Sequence, residues 1–130
     1  MHFVFLHFSK TDIVLNRKDP IDPDISGLFI HKIHQRQSGK PLAYVLGSWE
    51  FRGKPYSVRE GVLIPRPETE LLVQAAENWL KQQDPTQQIV VLEVGFGTGI
   101  ISIELALAYP SAIFKAWDIS PIAYQNALHN

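Results

Sequence analysis

Between Glu93 and Gly99 the chain reads Glu-Val-Gly-Phe-Gly-Thr-Gly, with glycines at 95, 97 and 99. Glycine has no Cβ, so such a stretch can turn tightly and bring its backbone close to a ligand. The turn follows residues 89–94, a near-continuous apolar run of strand length. It precedes an apolar helical stretch over 100–109, closed by Pro110. A glycine turn in that place lies beside the free N–H groups of a helix N-terminus. Asp118 comes 23 positions after Gly95, at the end of a second strand predicted over 112–117. That is near the offset of about 20 at which an acidic side chain reaches a ribose in nucleotide-binding βαβ units. These residue types at this spacing point to the holding of a nucleotide-like ligand.

Two ligand classes compete for the geometry. The dinucleotide fingerprint G-x-G-x-x-G requires its third glycine five positions after the first. Here Gly99 comes four after Gly95, and Ile100 holds the fifth place. Glu93 adds a charge at the strand end. At about 4 Å and an effective dielectric near 20, one unit charge contributes roughly 4 kcal/mol, enough to repel a pyrophosphate and attract a cation. S-adenosylmethionine carries a sulfonium and an ammonium but no phosphate. A Glu93 aimed at the ligand therefore favours S-adenosylmethionine. A tight strand–helix turn with no ligand is the competing structural reading.

The elements that must position these residues follow from periodicity and punctuation. Residues 1–8 are apolar but short, lack a basic n-region and read as a packed terminal segment. Ser9-Lys-Thr-Asp12 has the spacing of an N-cap box ahead of a short helix through Ile13, Val14 and Leu15. A turn-rich stretch over 16–24 leads to a second helix. Asp24 would cap it, Ile25, Leu28, Phe29 and Ile33 would line it, and Gly39 would stand just past its end. From Pro41 the pattern shifts to β-prone runs at 44–46, 49–51 and 56–58, separated by glycines, which predicts a hairpin region. Pro67 suits the first helical position of a third helix, with Glu68 and Glu70 in its first turn. Its apolar stripe is expected to be Leu71, Leu72, Ala75, Ala76, Trp79 and Leu80. Residues 82–88 make a polar linker. The run over 89–94 reads as a strand covered on both faces. Ser120 and Pro121 suit the N-cap and first position of a last helix. Strand, glycine turn, helix, strand, helix is half of a doubly wound α/β fold.

Composition narrows the function classes. With 130 residues the chain is close to the common size of one domain. Its 45% apolar and 19% charged residues are an ordinary globular mix. A net charge of −1 is not that of a polycation built to coat nucleic acid, and no direct nucleic-acid binding is expected. Cysteine is absent, which excludes a disulfide scaffold and a thiolate site and fits a reducing, cytoplasmic setting. No run approaches the roughly 18 apolar residues of a membrane span. His31 and His34 lie three apart without a third ligand at useful spacing, so no metal site is expected. Between 36 and 66 six basic residues (Arg36, Lys40, Arg52, Lys54, Arg59 and Arg66) face two acidic ones (Glu50 and Glu60). This is either a surface for an acidic partner or a solvated hairpin. Trp49, Phe51 and Trp79 read as core.

Leu-Glu-Val-Gly-Phe-Gly-Thr-Gly over 92–99 resembles the first motif of class I methyltransferases. Leu63-Ile-Pro-Arg-Pro-Glu-Thr-Glu70 is more specific. With Arg36, Gly39, Pro41, Tyr44, Gly47, Glu50 and Phe51 ahead of it, and Asp118-Ile-Ser, Ala123, Ala127 and Asn130 behind, it resembles the PrmC/HemK family. These are the glutamine N5-methyltransferases that modify peptide-chain release factors. The resemblance runs from about Ser9 to Asn130. It implies an α/β fold: an incomplete class I S-adenosylmethionine methyltransferase (Rossmann-like) domain over 67–130. Ahead of it would come a partial helical N-terminal domain over 1–40 and a β-hairpin linker over 41–66. It further implies that Glu93, Gly95, Phe96, Gly97, Thr98 and Gly99 wrap S-adenosylmethionine, that Asp118 holds its ribose, and that Arg66, Pro67, Glu68 and Thr69 form the active-site rim. The substrate would be the side-chain amide of the glutamine in the Gly-Gly-Gln loop of a release factor.

The chain departs from the family in several respects. Phe96 and Thr98 replace smaller or hydroxylated residues, which leaves the turn intact. Glu93 stands where Asp is more usual. The family's catalytic Asn-Pro-Pro-Tyr is absent, since no Pro-Pro pair occurs. In the family those groups hold the substrate amide in line with the methyl group, and positioning of that kind supplies about 7–11 kcal/mol. The chain is therefore expected to be a fragment of the enzyme and inactive alone. Two other readings stay open: a non-catalytic paralogue that binds a partner, and a related methyltransferase acting on a nucleic-acid amine.

Overall fold

The computed structural model describes residues 10–84 and 86–130. The expected packed segment at 1–8 and the Ser9 cap lie outside them. The chain divides between His34 and Gln35 into two compact units.

The first unit holds α1 (Lys10–Leu15) and most of α2 (Pro23–Gln37). The cap of α2 is Asp22, not Asp24: Asp22 Oδ1 accepts from the N–H groups of Asp24 (2.8 Å) and Ile25 (3.5 Å). The helix begins at Pro23, whose fixed φ and missing N–H suit a first helical position, and this puts the cap one residue before it. At the other end Gly39 (φ +91°) donates to Arg36 O at 3.1 Å, and Lys40 N donates to Gln35 O at 3.2 Å. This is a Schellman closure around the predicted glycine. The predicted apolar residues Ile25, Leu28, Phe29 and Ile33 are all solvent-exposed.

In the second unit, residues 44–46 are helical rather than extended: α3 runs Leu42–Leu46. Pro41 accepts from Tyr44 N and Val45 N, and Gly47 (φ +75°) stops the helix after one turn. Burial of Ala43 and Val45 in that turn overrides the β preference of Tyr and Val. Strands β1 (Ser48–Phe51) and β2 (Lys54–Ser57) then form the expected hairpin, in antiparallel register Trp49↔Tyr56 and Phe51↔Lys54. Its two turn residues, Arg52 (φ +50°) and Gly53 (φ +75°), both have the left-handed backbone of a type I′ turn.

Helix α4 (Glu68–Lys81) has Glu68 and Glu70 in its first turn, as expected. Pro67 precedes it with helical dihedral angles already in place. Its buried face differs from the predicted stripe. Val73, Glu77 and Leu80 are buried and Ala76 packs against the core, while Leu71, Leu72, Ala75 and Trp79 are exposed, Trp79 by 56%. A charged residue occupies the centre of the inner face, so counting apolar residues misplaces the stripe.

Strands β3 (Val90–Val94) and β4 (Ile113–Trp117) pair in parallel, joined by α5 (Ile100–Ala108); α6 (Pro121–Ala127) follows. The core comprises Phe51, Tyr56, Val73, Leu80, Ile100 and Leu105, with Val91, Ile103 and Phe114 packed against it. Among the described residues only one face of the β3–β4 sheet is covered, where two were expected. Val90, Leu92 and Val94 of β3 and their register partners Ile113, Lys115 and Trp117 share a face and all are exposed, Val94 by 85%.

Hairpin, α4 and α5 are joined by an ion-pair network. The Arg52 guanidinium meets Glu77 through both terminal nitrogens, one contact at 3.1 Å, and reaches Glu104 at 3.3 Å. Lys54 Nζ lies 2.9 Å from Glu104, and the Tyr56 hydroxyl donates to the same carboxylate. Burial and the neighbouring Glu104 carboxylate raise the Tyr56 phenol above its usual range. The Arg52 guanidinium holds the Glu77 carboxyl below its own.

Glu104→Ala leaves the Tyr56 hydroxyl buried without an acceptor and should lower unfolding stability by about 2 kcal/mol, read by urea denaturation. A loss under 0.5 kcal/mol would contradict the network's role. Because the folded Glu77 carboxyl is depressed, its contribution is present above the ordinary carboxylate range and lost as pH falls through the depressed value. Stability of the unaltered chain should therefore fall more steeply on acidification than that of Glu77→Gln, in melts followed by circular dichroism.

Candidate functional site

Val94 and Trp117 end the parallel ladder side by side. The ladder continues into the turn, because Gly95 N and Phe96 N both donate to Trp117 O, at 2.6 and 3.4 Å. Gly95, Gly97 and Gly99 have φ of +76°, +54° and +76°, the left-handed region that a side chain disfavours. Gly99 N closes the bend on Phe96 O at 2.8 Å and Gly99 serves as the N-cap residue of α5. Alternate glycines in the sequence thus correspond to alternate left-handed residues in the structure.

Asp118 joins this turn. Its Oδ2 accepts from Gly97 N at 2.8 Å, and its Oδ1 accepts from Ser120 N at 2.8 Å. The N–H groups of Ser120 and Gly97 hold its carboxyl below the usual range. Ser120, as expected, is the N-cap of α6: its hydroxyl accepts from Ala123 N at 3.3 Å, with Pro121 in the first turn.

Glu93 does not take the place expected of it. Its Oε2 accepts from Ser102 N at 3.1 Å and from the Ser102 hydroxyl, so the carboxylate is engaged with the first turn of α5 and is not aimed across the bend. As a strand residue it alternates with exposed Leu92 and Val94 and falls on the face that carries α5. Burial raises its carboxyl, the Ser102 bonds oppose the shift, and the charge of Asp118 adds to it. Ser102 was not singled out from the sequence. Its signal was available: it is the third residue of a helix that follows a strand whose penultimate residue is an acid.

Thr98 is buried, and its carbonyl accepts from Asn130 Nδ2 at 2.9 Å. Glu93, Gly95, Phe96, Gly97, Thr98, Gly99 and Asp118 therefore form one local assembly. Arg66, Pro67, Glu68 and Thr69 stand at the head of α4. Local backbone bonds join them, Thr69 N donating to Arg66 O at 2.9 Å and Glu70 N to Pro67 O at 3.0 Å. The segment leading to them does pass the turn, since a Cβ built on Gly97 would lie 3.9 Å from Val62 Cγ1. The basic run over 36–66 is partly neutralised within the fold. Lys40 pairs with Glu60 at 2.7 Å, Arg52 with Glu77 and Glu104, and Lys54 with Glu104, so these three are not a free surface for an acidic partner.

The family described as PrmC N-terminal domain matches residues 4–47. The chain is 36% identical over 125 residues to a release factor glutamine methyltransferase of Aquifex aeolicus, covering 96% of this chain and 43% of that protein. It is 37% identical over 115 residues to the one from Bordetella pertussis, covering 88% and 42%. With the one from Neisseria gonorrhoeae it shares 41% identity over 96 residues, covering 74% and 33%. The chain spans under half the length of these relatives.

Gly99→Ala combines a left-handed backbone with a Cβ placed 3.0 Å from Ala127 Cβ, whereas at Gly95 nothing lies within 4 Å. The expected losses of stability are about 1 kcal/mol for Gly95→Ala, from backbone strain alone, and about 2–3 kcal/mol for Gly99→Ala. Urea midpoints in the reverse order would contradict the close approach of α6 to the turn.

Proposed function

We propose that this chain, similar to release factor glutamine methyltransferases over nearly all of its own length and under half of theirs, forms the cofactor-binding front part of an S-adenosylmethionine-dependent methyltransferase of the class I, Rossmann-like type. Its substrate is the side-chain amide of a release-factor glutamine, in the Gly-Gly-Gln loop that the family resemblance implies. The observation that carries this reading is the Asp118 carboxylate on Gly97 N–H, at the carboxyl ends of two parallel strands. Ligands of open α/β sheets bind in this position.

The residues fit the cofactor by their chemistry. Gly95, Gly97 and Gly99 keep side chains away from the bend, and Asp118 offers carboxylate oxygens to ribose hydroxyls. The Asp118 carboxylate in the bend favours a sulfonium and an ammonium over a pyrophosphate. When bound, the cofactor supplies a methyl group on a positively charged sulfur, ready for direct transfer to nitrogen without a metal. Arg66, Pro67, Glu68 and Thr69 form the rim on which the substrate loop rests, reached through the Val62 segment. An amide nitrogen is a weak nucleophile and must be held in line. The Asn-Pro-Pro-Tyr that does this in the family has no counterpart in these 130 residues. Turnover therefore depends on residues that the relatives carry beyond the shared part.

Titration of the ¹⁵N-labelled chain tests the reading. S-adenosylmethionine at millimolar concentration should move the amide resonances of Gly95, Gly97 and Gly99, NAD⁺ should move them less, and Asp118→Ala should abolish the response. A larger response to NAD⁺ would sink the assignment. Incubated with S-adenosylmethionine and a release factor, the chain alone should leave the Gly-Gly-Gln glutamine unmodified by mass spectrometry.

A further inference from the structure

Asn126 on α6 is completely buried, at 0% exposure, an unusual place for a carboxamide. Its partners lie far away in sequence: Oδ1 accepts from Arg59 N at 2.8 Å, and Nδ2 donates to Ser57 O at 2.9 Å. Asn130 lies four residues on, one helical turn away. Its Oδ1 accepts from Ser57 N at 2.7 Å, and its Nδ2 donates to Ser57 O at 3.2 Å and to Thr98 O at 2.9 Å. Ser57 thus has its N–H and C=O paired by a side chain, as a neighbouring strand would pair them. The bonds run to backbone groups of fixed polarity, so each carboxamide has only one orientation that satisfies them. Between the two asparagines, Ala127 packs against Gly99. One face of α6 and the residues just past it therefore hold both the hairpin exit and the glycine turn.

We propose that Asn130 is a positioning residue that couples the glycine turn to Ser57–Arg59, the segment from which the chain runs on to residues 66–69. The proposal rests on the reading of the turn as the cofactor site. A single Nδ2 group serves both Thr98 O and Ser57 O. Any ligand that fixes the turn fixes that amide and, through it, the hairpin exit. Asn126 grips the same exit without touching the turn, so it supports the hairpin and transmits nothing from the ligand. Linkage is reciprocal: a substrate loop that stills the hairpin exit tightens cofactor binding by the same factor.

Amide hydrogen exchange on the whole chain, with S-adenosylmethionine as the probe, tests this. Saturation, monitored at the Gly97 resonance, should slow exchange of Ser57 N–H by about fivefold in the unaltered chain. Asn130→Ala and Asn130→Asp should both abolish the slowing while Gly97 still responds. The Asp variant keeps the acceptor for Ser57 N and loses the two donated bonds, so Ser57 N–H retains its own partner while the bridge to Thr98 is cut. A Gly97 response with no change at Ser57 overturns the coupling but leaves the cofactor reading intact. Retention of the slowing in both variants also overturns it. No response at Gly97 overturns the cofactor reading and this proposal with it.

Discussion

The bond from Gly97 N–H to the Asp118 carboxylate is the constraint on which the second unit's organisation depends. It runs from the bend after the first parallel strand to the residue after the second, so it fixes where both strands stop. Its other oxygen takes Ser120 N, which sets the start of α6. Once α6 is set, Ala127 meets Gly99 and the two asparagines reach the hairpin exit. The turn, the last helix and the hairpin are thereby organised from one ionised group. A carboxylate accepting two backbone N–H groups holds them more strongly than a neutral acceptor would.

The electrostatic case for a cationic ligand survives, though it rests on a different residue. From the sequence, Glu93 was to face the ligand. In the structure Ser102 engages it, and its carboxyl is raised by burial. Asp118 sits in the bend itself, with a depressed carboxyl. The acidic group that sits at the turn is therefore Asp118, held by Gly97 and Ser120 N–H, while Glu93 is engaged with the first turn of α5.

Local signals in the sequence were read correctly where one residue type dictates one backbone state. The three alternate glycines, Gly39 at the helix end, the Ser120–Pro121 start and the hairpin all follow from such rules. Faces of elements were harder to assign. The inner face of α4 carries Glu77 in place of an aliphatic residue, because Arg52 on the hairpin turn neutralises it, and no local pattern can announce a partner 25 residues away. Tyr44 and Val45 have strand propensities but are folded, with Leu46, into a single helical turn between Pro41 and Gly47. Asn130 belonged to the family resemblance without a role, and its bridge becomes visible only when residues 57, 98 and 130 are seen together.

The bare side of the β3–β4 pair determines how the chain can be studied. Val90, Leu92, Val94, Ile113 and Trp117 lie exposed on one face in the native state, with Lys115 among them. Fluorescent probes such as ANS report apolar surface open to water and are commonly taken as markers of partly folded protein. With this chain they will glow before any heating, so a bright signal here is a property of the native fold and not a sign of damage.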